Sequence, residues 1–326
     1  MKLDALLDTL ISQLPASLVL QLAQIVARTQ PLKPNPGWYF SVAESNPSAI
    51  IRLRRAIWRY CNRKRLQKPI IMTWYDGLKV HVYLGNDMSR MLFIGGCMEP
   101  NEFFFLSKVL SRGMIFIDVG ANDGSYSLFA ARRVGPEGTA LAWEPSQREF
   151  VRLQANLQLN RLTNVRPLQI ALSNRSGHAI LRVAGYEHEG QNTLGDFFVH
   201  NDIECSHTEQ VILKRLDDLA DEEGLKQVDV IKIDVEGAEL SVIEGAQRTL
   251  TKFHPLLLLE LLDAALRCQG SSAEEVLALL KSLGYEIYTF DKASGKPVKA
   301  RQHSELSDNI IAAHPSRTWR GLNDDE

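Results

Sequence analysis

The stretch from Met114 to Tyr126 constrains the fold of this 326-residue chain more than any other part. Apolar, β-favouring residues lead into Asp118, the turn Gly120-Ala-Asn-Asp-Gly124 follows, and an amphipathic stretch begins at Tyr126. A buried strand, a tight turn and a helix start, in this order, form the βα unit that opens a nucleotide-binding α/β sheet. Gly120 allows the backbone to approach a ligand closely, and Gly124 can adopt conformations closed to other residues. The turn is therefore predicted to present backbone N–H groups at a helix N-terminus to a ligand.

The spacing of these glycines limits the class of ligand. It is G-x-x-x-G, whereas dinucleotide-binding proteins use G-x-G-x-x-G. Asp118 and Asp123 add two carboxylates, which would repel a pyrophosphate but would accept a cationic ligand that carries a carboxylate and a ribose. A nicotinamide-dependent oxidoreductase is therefore the weakest of the functions that remain open.

The next predicted strand ends in a carboxylate. Glu144 closes the run that begins at Thr139, lies 20 residues after Gly124 and is followed by Pro145-Ser146. In nucleotide-binding α/β sheets, an acid at the tip of the second strand accepts hydrogen bonds from the ribose hydroxyls. We therefore predict this role for Glu144.

A second group of acids follows the fourth predicted strand, within the run from Val228 to Glu239. This strand lies beside the first one, at the switch point where such sheets bind ligands, so Asp234 and Glu236 are expected next to that crevice. Glu239 is as well explained by the helix dipole, which favours an acid at a helix N-terminus by ~0.3–1 kcal/mol. Lys232 is costly to bury alone and is expected to pair with one of these acids.

Strands and helices alternate from Met114 onward, which indicates a mostly parallel sheet of the α/β class. Seven strands are predicted, the last two forming a hairpin, at about 114–119, 139–144, 165–170, 228–234, 255–261, 285–290 and 308–313. Helices are predicted at 147–160, 238–251 and 273–283. A segment inserted at 177–227 contains two further antiparallel strands, at 179–183 and 210–213.

The N-terminal part has a different character. The first 30 residues have helical periodicity, 31–37 is predicted to be a linker or an extended turn, and 74–83 alternates like a hairpin around Asp76-Gly77. The segment 50–68 carries eight Arg and Lys and no acid. The predicted division is a helical, basic extension at 1–70, a lead-in segment at 71–112, a main domain at 113–315 and a polar tail at 316–326.

Composition excludes several classes. A net charge of −2 gives no global attraction to nucleic acid, and no uncharged run reaches the ~18 residues of a membrane helix. Four scattered cysteines and the absence of a signal peptide predict a cytoplasmic protein with reduced thiols. No metal is expected, because His188, His200, His207 and Cys205 lack a compact ligand spacing. The sequence does not indicate an oligomeric state.

Several of these segments together resemble the FkbM family of S-adenosylmethionine-dependent methyltransferases. Single segments are only moderately specific, but their order and spacing are highly so, and the similarity extends over roughly residues 90–315. A lead-in run, Gly96 to Glu102, resembles the family as well. The segments that carry the resemblance are Ile117–Gly124, Glu144–Ser146, Asn156 with Asn160, Ala171–Ser173, Leu216–Asp218 and Ile231–Glu239.

The resemblance implies a seven-stranded, doubly wound, Rossmann-like sheet of the class I methyltransferase type, with S-adenosylmethionine over the carboxyl ends of its first two strands. Residue by residue, it places Asp234 and Glu236 near the methyl group that is transferred, as the catalytic candidates. It places three sets of residues at the cofactor: Asp118, Gly120, Asn122 and Gly124 at the methionine and ribose end, Glu144 and Ser146 at the ribose, and Ala171 and Ser173 at the adenine. Asp123 departs from the family, which often has a hydrophobic or small residue there.

Two main functional classes follow. The first is a methyltransferase that acts on a hydroxyl of a small molecule or carbohydrate, without nucleic acid as a partner. The second is a cofactor-binding module without catalysis that acts through protein partners. The sequence does not name the acceptor, whose recognition is expected in the insert and the N-terminal region. Three roles remain open for the basic segment 50–68: docking on acidic loops of the main domain, which ranks first, peripheral contact with an anionic membrane, and binding of an anionic acceptor.

Overall fold

The computed structural model describes residues 2–29, 48–197, 203–301 and 306–322. They belong to two compact units. The first unit comprises Met1–Asn101 and Tyr186–Gly190, and the second comprises Glu102–Gly185 and Gln191–Glu326. The sequence-based division at 70, 112 and 315 partitions the chain differently and stays a prediction. The linker or extended turn predicted at 31–37 and His200 lie outside the described residues. In the described residues no helix has the length and apolarity to cross a bilayer.

The first unit is helical with one small sheet. Helices are confirmed in the first 30 residues and in the basic segment. The antiparallel hairpin turns at Asp76-Gly77, as predicted. Both residues take positive φ angles, 51° and 78°. The first strand of the hairpin, Ile70–Thr73, lies before the predicted segment 74–83, so the hairpin begins earlier than the sequence suggested. The elements are α1 (Lys2–Ser12), α2 (Ala16–Arg28), α3 (Ala49–Arg63), β1 (Ile70–Thr73), β2 (Lys79–Val82), α4 (Asp87–Arg90) and a π-helical turn, Met91–Gly95.

The segment Tyr186–Gly190 is embedded in this first unit although it lies far along the chain. The Tyr186 hydroxyl donates to the carbonyl of Leu84, and the Asn86 side-chain amide donates to the carboxylate of Glu189. His188 lies 3.7 Å from the carboxylate of Asp87. Asn86 and Glu189 are both at most 2% exposed, so these contacts belong to the interior of the unit.

The second unit contains the α/β sheet. Helix α5 (Pro100–Val109) leads into it. The strands are β3 (Ile115–Val119), β4 (Thr139–Trp143), β5 (Val165–Leu168), β6 (Ala171–Leu172), β7 (Gly177–Ala184), β8 (Cys205–Lys214), β9 (Val230–Ile233), β10 (Leu256–Glu260), β11 (Glu286–Phe290), β12 (Pro297–Lys299) and β13 (Asn309–Ala313). The helices are α6 (Ser125–Val134), α7 (Gln147–Asn160), α8 (Leu216–Glu222), α9 (Glu239–Glu244), α10 (Gln247–Phe253), α11 (Asp263–Cys268) and α12 (Ala273–Ser282).

Among the described residues, the central sheet has eight strands in the order β12-β11-β13-β10-β9-β3-β4-β5. The strands from β10 to β5 are parallel, and β13, β11 and β12 pair antiparallel. All seven predicted strands are confirmed, with the last two as neighbours. The eighth, β12, is a three-residue edge strand that begins at a proline, and so short a segment has no recognisable alternation of its own.

The strand order defines where a ligand can bind. The chain runs from β3 outward through β4 to β5 and then returns to the other side of β3 with β9. At this switch point the carboxyl ends of β3 and β9 leave the sheet towards different helices, which opens a crevice. Apolar residues of β3, β4, β9 and β10 fill the core beneath it, among them Ile117, Leu141, Ile231 and Leu257.

One helix prediction is wrong in its extent. The segment predicted as a single helix at 238–251 is divided into α9 and α10. The carboxylate of Asp217 accepts hydrogen bonds from the backbone N–H groups of Arg248 and Thr249, and so caps the start of α10. Gly245 sits at the break, where a Cβ would lie 2.1 Å from the carbonyl oxygen of Ser173. Tertiary contacts therefore override the helical periodicity here.

Strands β7 and β8 of the inserted segment join β6, which precedes the insert, in a separate three-stranded sheet of the order β6-β8-β7. Both predicted strands are confirmed as parts of β7 and β8, which pair antiparallel. Ala171, Leu181, Val183, Val211 and Leu213 form its own small core. This small sheet therefore has a core of its own within the second unit, whereas Tyr186–Gly190, between β7 and β8, belongs to the first unit.

Candidate active site

The turn after β3 has the geometry that its glycines predict. Gly120 and Gly124 take φ angles of 77° and 91°, and Asn122 takes 50°. A Cβ on Gly120 would lie 1.9 Å from the carbonyl oxygen of Asp234, so the close approach is to the loop after β9. Asp123 accepts hydrogen bonds from the backbone N–H and the hydroxyl of Ser125, which holds it at the start of α6. This second acid of the turn therefore serves the helix N-terminus.

Glu144, at the tip of β4, is held by two backbone amides. One carboxylate oxygen accepts from the N–H of Asn122 at 2.8 Å, and the other accepts from the N–H of Ser146 at 2.9 Å. Burial, together with the nearby Glu149 carboxylate, raises the pKa of Glu144 to about 8, although the two amide bonds act in the opposite direction. Since each carboxylate oxygen has two acceptor positions, Glu144 can still accept one further hydrogen bond on each oxygen.

A buried ion network links β3 and β9. The ammonium of Lys232 lies 3.0 Å from the carboxylate of Asp234 and 3.8 Å from that of Asp118, and it donates to the carbonyl of Gly120 at 3.2 Å. The predicted pairing of Lys232 with an acid is thus confirmed. Asp118 is fully buried and accepts a hydrogen bond from the Ser127 hydroxyl at 2.6 Å. Burial raises the pKa of Asp118, and the charge of Lys232 opposes that rise.

The acids after β9 meet a third carboxylate. Asp234, Glu236 and Glu260, which ends β10, bring carboxylate oxygens within 4.8 Å of one another. Among the described residues this is the group whose geometry could hold a metal ion, and it contains no histidine or cysteine. An acidic cluster alone does not establish a metal site, so the expected absence of a metal stays a prediction. The cluster does create a strongly negative region that favours any cation.

The loop that carries Glu236 is clamped from two directions. Glu236 has a φ angle of 52°, which is uncommon for a residue with a side chain. Its carbonyl accepts hydrogen bonds from the Thr193 hydroxyl at 3.0 Å and from the side-chain amide of Gln269 at 2.8 Å. Glu239 is 1% exposed and accepts from the N–H groups of Val235 and Gly237, which confirms a structural role for this acid.

The two predicted adenine residues, Ala171 and Ser173, lie in β6 and directly after it. Ala171 belongs to the small core of the inserted sheet, and the N–H of Ser173 donates to the carbonyl of Lys214. In the described part of the chain, no hydrogen bond joins either residue to Glu144 or to the 120–124 turn. Their place at the cofactor stays a prediction.

Sequence reasoning missed four residues of this region. Glu260 was inside a predicted strand, and its position as the acid that ends a strand next to β9 was the available signal. Gln269 and Thr193 could not be found from local sequence, because they reach Glu236 from the end of α11 and from the insert. A fourth, Gln169, follows β5 and donates to the carbonyl of Pro145 at 3.4 Å.

The residues present fit the cofactor that the resemblance implies. The hydroxyl oxygen of Ser146 is buried beside Glu144 and has no hydrogen-bond partner among the described residues. An orphaned hydroxyl next to a carboxylate with two open acceptor positions suits a pair of ribose hydroxyls. The acids around Lys232 suit a positively charged sulfur and would repel a pyrophosphate.

The sheet order and the site together define the class I, Rossmann-like methyltransferase fold. The profile described as Methyltransferase FkbM domain matches residues 118–287, which is more than half of the chain. The chain therefore belongs to the FkbM methyltransferase family.

Curated relatives have the same class name. Methyltransferase sdnD from Sordaria araneosa is 29% identical over an alignment of 212 residues, and the match covers 58% of this chain and 79% of that protein. The 2-O-methyltransferase NoeI from Sinorhizobium fredii (strain NBRC 101917 / NGR234) is 32% identical over 154 residues. That match covers 42% of this chain and 59% of NoeI. Among solved structures, the methyltransferase FkbM from Methylobacillus flagellatus KT aligns with a TM-score of 0.39 and 14% identity, over 69% of this chain and 52% of that one.

Proposed function

We propose that this chain is an S-adenosylmethionine-dependent O-methyltransferase whose acceptor is a hydroxyl of a small molecule or carbohydrate. The observation that carries the proposal is the buried Glu144 carboxylate, which two loop amides hold at the tip of β4 beside the orphaned Ser146 hydroxyl. When bound, S-adenosylmethionine would supply a methyl group on a positively charged sulfur that is its own leaving group.

The residues around the switch point would divide the binding task. Glu144 accepts the two ribose hydroxyls and Ser146 adds one hydroxyl partner. The turn residues Asp118, Gly120, Asn122 and Gly124 flank the methionine and ribose end, and Ala171 and Ser173 flank the adenine. Asn122 supports this arrangement, because its backbone N–H already fixes one oxygen of Glu144.

Asp234 and Glu236 are the proposed catalytic residues. A hydroxyl acceptor must lose its proton as the methyl group arrives, and the base has to lie within about 3 Å of that proton's oxygen. Both carboxylates are partly exposed, so an acceptor can reach them. The ammonium of Lys232, 3.0 Å away, holds the carboxylate of Asp234 in place. The hydrogen bonds from Thr193 and Gln269 to the carbonyl of Glu236 hold its backbone.

The acceptor class rests on the relatives. NoeI is named a 2-O-methyltransferase, which supports a hydroxyl acceptor, and sdnD is named a methyltransferase only. A second candidate function, a cofactor-binding module that acts through protein partners, is favoured by the separate N-terminal unit. The two functions differ in whether a methyl group leaves the cofactor.

Calorimetry with S-adenosylhomocysteine and with NAD tests the binding step. We expect S-adenosylhomocysteine to bind and NAD not to bind. In Glu144→Ala the binding free energy should weaken by about 1–3 kcal/mol, the cost of leaving ribose hydroxyls unpaired. Glu137→Ala, at an exposed loop acid of the same unit, is the matched control. Tight binding of NAD with none of S-adenosylhomocysteine would reject the proposal.

Methyl transfer separates the two candidate functions. The chain is incubated with S-adenosylmethionine and a panel of monosaccharides, and S-adenosylhomocysteine release is measured. Asp234→Asn or Glu236→Gln should reduce transfer more than cofactor affinity, because these acids face the reacting centre. If both variants transfer at the wild-type rate, the base lies elsewhere. If no acceptor supports turnover while the cofactor binds, the result favours the non-catalytic module.

A further inference from the structure

Two histidines from distant parts of the second unit stack on each other. His254 follows α10 and precedes β10, and His314 directly follows β13, the antiparallel neighbour of β10. Their rings are nearly parallel, with an angle of 3° between the planes and 3.7 Å between the centroids. Both side chains are partly exposed. The pair lies at the start of β10, whereas the candidate active site is built at the carboxyl ends of the parallel strands.

One serine joins the two rings. The hydroxyl oxygen of Ser316 lies 2.7 Å from Nδ1 of His314 and 2.9 Å from Nδ1 of His254. The backbone N–H of Ser316 also donates to Nδ1 of His314, at 3.2 Å. Because a backbone N–H can only donate, Nδ1 of His314 has to carry a lone pair, which makes this ring neutral with its proton on Nε2. The hydroxyl is left to donate to the same nitrogen and to accept from the Nδ1–H of His254.

A second proton on His314 would break this arrangement. It would place an N–H on Nδ1, so that two donors face each other where the backbone N–H of Ser316 now finds an acceptor. It would also charge a ring that is stacked on a second imidazole. Within the described residues, neither ring has a carboxylate as ion-pair partner to offset this charge. Burial lowers the pKa of His314, and the charge of His254 lowers that pKa further.

The other titratable groups around the pair do not favour a charged His314. Tyr285 meets its ring edge-on, with centroids 5.7 Å apart, and burial raises the pKa of the Tyr285 hydroxyl, which therefore stays neutral. The neighbouring cations are Arg317, on the same segment, and Lys252, on α10. Asp229 is the acid on this side, and its carboxylate is already paired with Arg317 at 2.7 Å.

The segment that Ser316 holds carries an anchor of the central sheet. The guanidinium of Arg317 pairs with Asp229 and lies over the ring of Trp319, which is 4% exposed. The carboxylate of Asp229 in turn accepts from the backbone N–H of Ile115, the first residue of β3. This segment therefore ties the start of β3 to the end of β13.

We propose that His254, His314 and Ser316 form an acid-sensitive latch, which holds the segment after β13 while His314 is neutral and releases it when His314 takes up a proton. The folded state binds this proton less tightly than the unfolded state, whose ordinary pKa is 6.5. The stabilisation by the latch is therefore fully present above the unfolded-state pKa. It is lost as pH falls from there through the lower pKa of the folded state.

Hydrogen–deuterium exchange of the full-length protein tests the latch. Exchange in residues 315–319, corrected for intrinsic rates, is compared at about pH 7.5 and about pH 5, on either side of the ordinary histidine pKa. We expect the wild type to lose protection by roughly tenfold or more at the lower pH. His314→Asn keeps a neutral acceptor near the position of Nδ1 and cannot be charged, so its protection should be the same at both pH values. His178→Asn, at an exposed histidine of β7, is the matched control and should behave like the wild type.

Nitrogen-15 NMR of the histidine rings measures the tautomer of His314 directly. We expect its proton on Nε2 at neutral pH and a titration below the ordinary pKa of 6.5. The proposal is overturned if His314 carries its proton on Nδ1 at neutral pH, or if the wild type keeps its full protection at the lower pH. Equal losses of protection in the wild type and in His314→Asn would also overturn it, because the effect of acid would then not pass through His314.

Discussion

At the scale of single residues, Glu144 is a buried acid whose protonation state decides how it can bind a ligand. It is 5% exposed, and its carboxylate accepts hydrogen bonds from two backbone N–H groups. Burial raises its pKa to about 8, so a large fraction carries a proton at neutral pH in the ligand-free protein. A protonated oxygen cannot accept a hydrogen bond from its amide and from a ribose hydroxyl together.

The affinity for S-adenosylhomocysteine should therefore depend on pH. Below about pH 8, binding must remove the proton of Glu144, so affinity falls by up to about tenfold for each pH unit and levels off above pH 8. The same raised pKa means that the native state holds this proton more tightly than the unfolded state. Its contribution to folding stability is thus largest at low pH and declines as pH rises to about 8. Calorimetry from about pH 6 to about pH 9 measures the first effect.

Glu144→Gln is the control for this prediction, because glutamine does not titrate. Any slope that remains in this variant belongs to the ligand, whose amino group also titrates near this range. Equal slopes in the wild type and the variant would show that Glu144 keeps one protonation state throughout.

At the scale of elements, the loop between β9 and α9 depends on two distant partners. Glu236 holds a backbone conformation that costs of order 1–3 kcal/mol for a residue with a side chain. Thr193 from the insert and Gln269 from the end of α11 both donate to its carbonyl, and Gln269 also donates to Thr193 at 3.1 Å. Gly237 follows with a φ of 102°, and a Cβ there would lie 2.4 Å from the carbonyl of Ala265. The loop is therefore fixed by tertiary contacts.

Thr193→Val should disturb this loop without touching the cofactor residues. Thr193 is 2% exposed, and its hydroxyl also accepts from the N–H of Gly195, so its loss should reduce stability by about 1–3 kcal/mol. We expect methyl transfer to fall while the affinity for S-adenosylhomocysteine stays near the wild-type value. Thr193→Ser, which keeps the hydroxyl, should restore transfer. If valine and serine variants transfer equally well, the hydroxyl does not position Glu236.

Features set by local sequence patterns could be predicted, whereas features set by contacts between distant parts of the chain could not. The strands β3, β4 and β9 and the acids at their ends follow from local patterns, because a buried parallel strand is a continuous apolar run and an acid marks its end. Lys232 was expected to pair with an acid, because a charge that is buried without a partner is costly. The break between α9 and α10 could not be predicted, since it depends on a cap from Asp217, about 30 residues away in the sequence. Thr193 and Gln269 were likewise invisible, because their partner is a backbone carbonyl that carries no sequence signal.

At the scale of the whole molecule, the chain consists of a basic unit and a larger acidic one. The first unit has a core of its own. Arg54, 1% exposed, donates to the carbonyls of Val26, Thr29 and Phe93, and burial lowers its pKa to about 10. The hairpin is tied to α2, because the side chain of Gln24 bonds to both the N–H and the carbonyl of Ile71.

A chain that begins at Ile70 should be less stable and should aggregate. It lacks α1 to α3 and would expose the inner side chains of the hairpin, Ile70, Met72, Val80 and Val82, which are at most 4% exposed. Each such side chain contributes about 1.5–3 kcal/mol when buried. Thermal unfolding and light scattering measure the effect. An unchanged melting temperature with no aggregation would mean that 1–69 contributes nothing to the packing of the hairpin.

The five residues Tyr186–Gly190 have a consequence for how this protein can be divided or recombined. They belong to the first unit, so the polypeptide enters that unit, leaves it and enters it again. A gene fragment that encodes 1–101 would produce a first unit without the carboxylate partner of Asn86 and without the hydroxyl that bonds Leu84. Exchange of this unit between relatives would have to carry a second, short piece from the middle of the gene. A single cut in the gene therefore cannot separate the two units, although each has its own core.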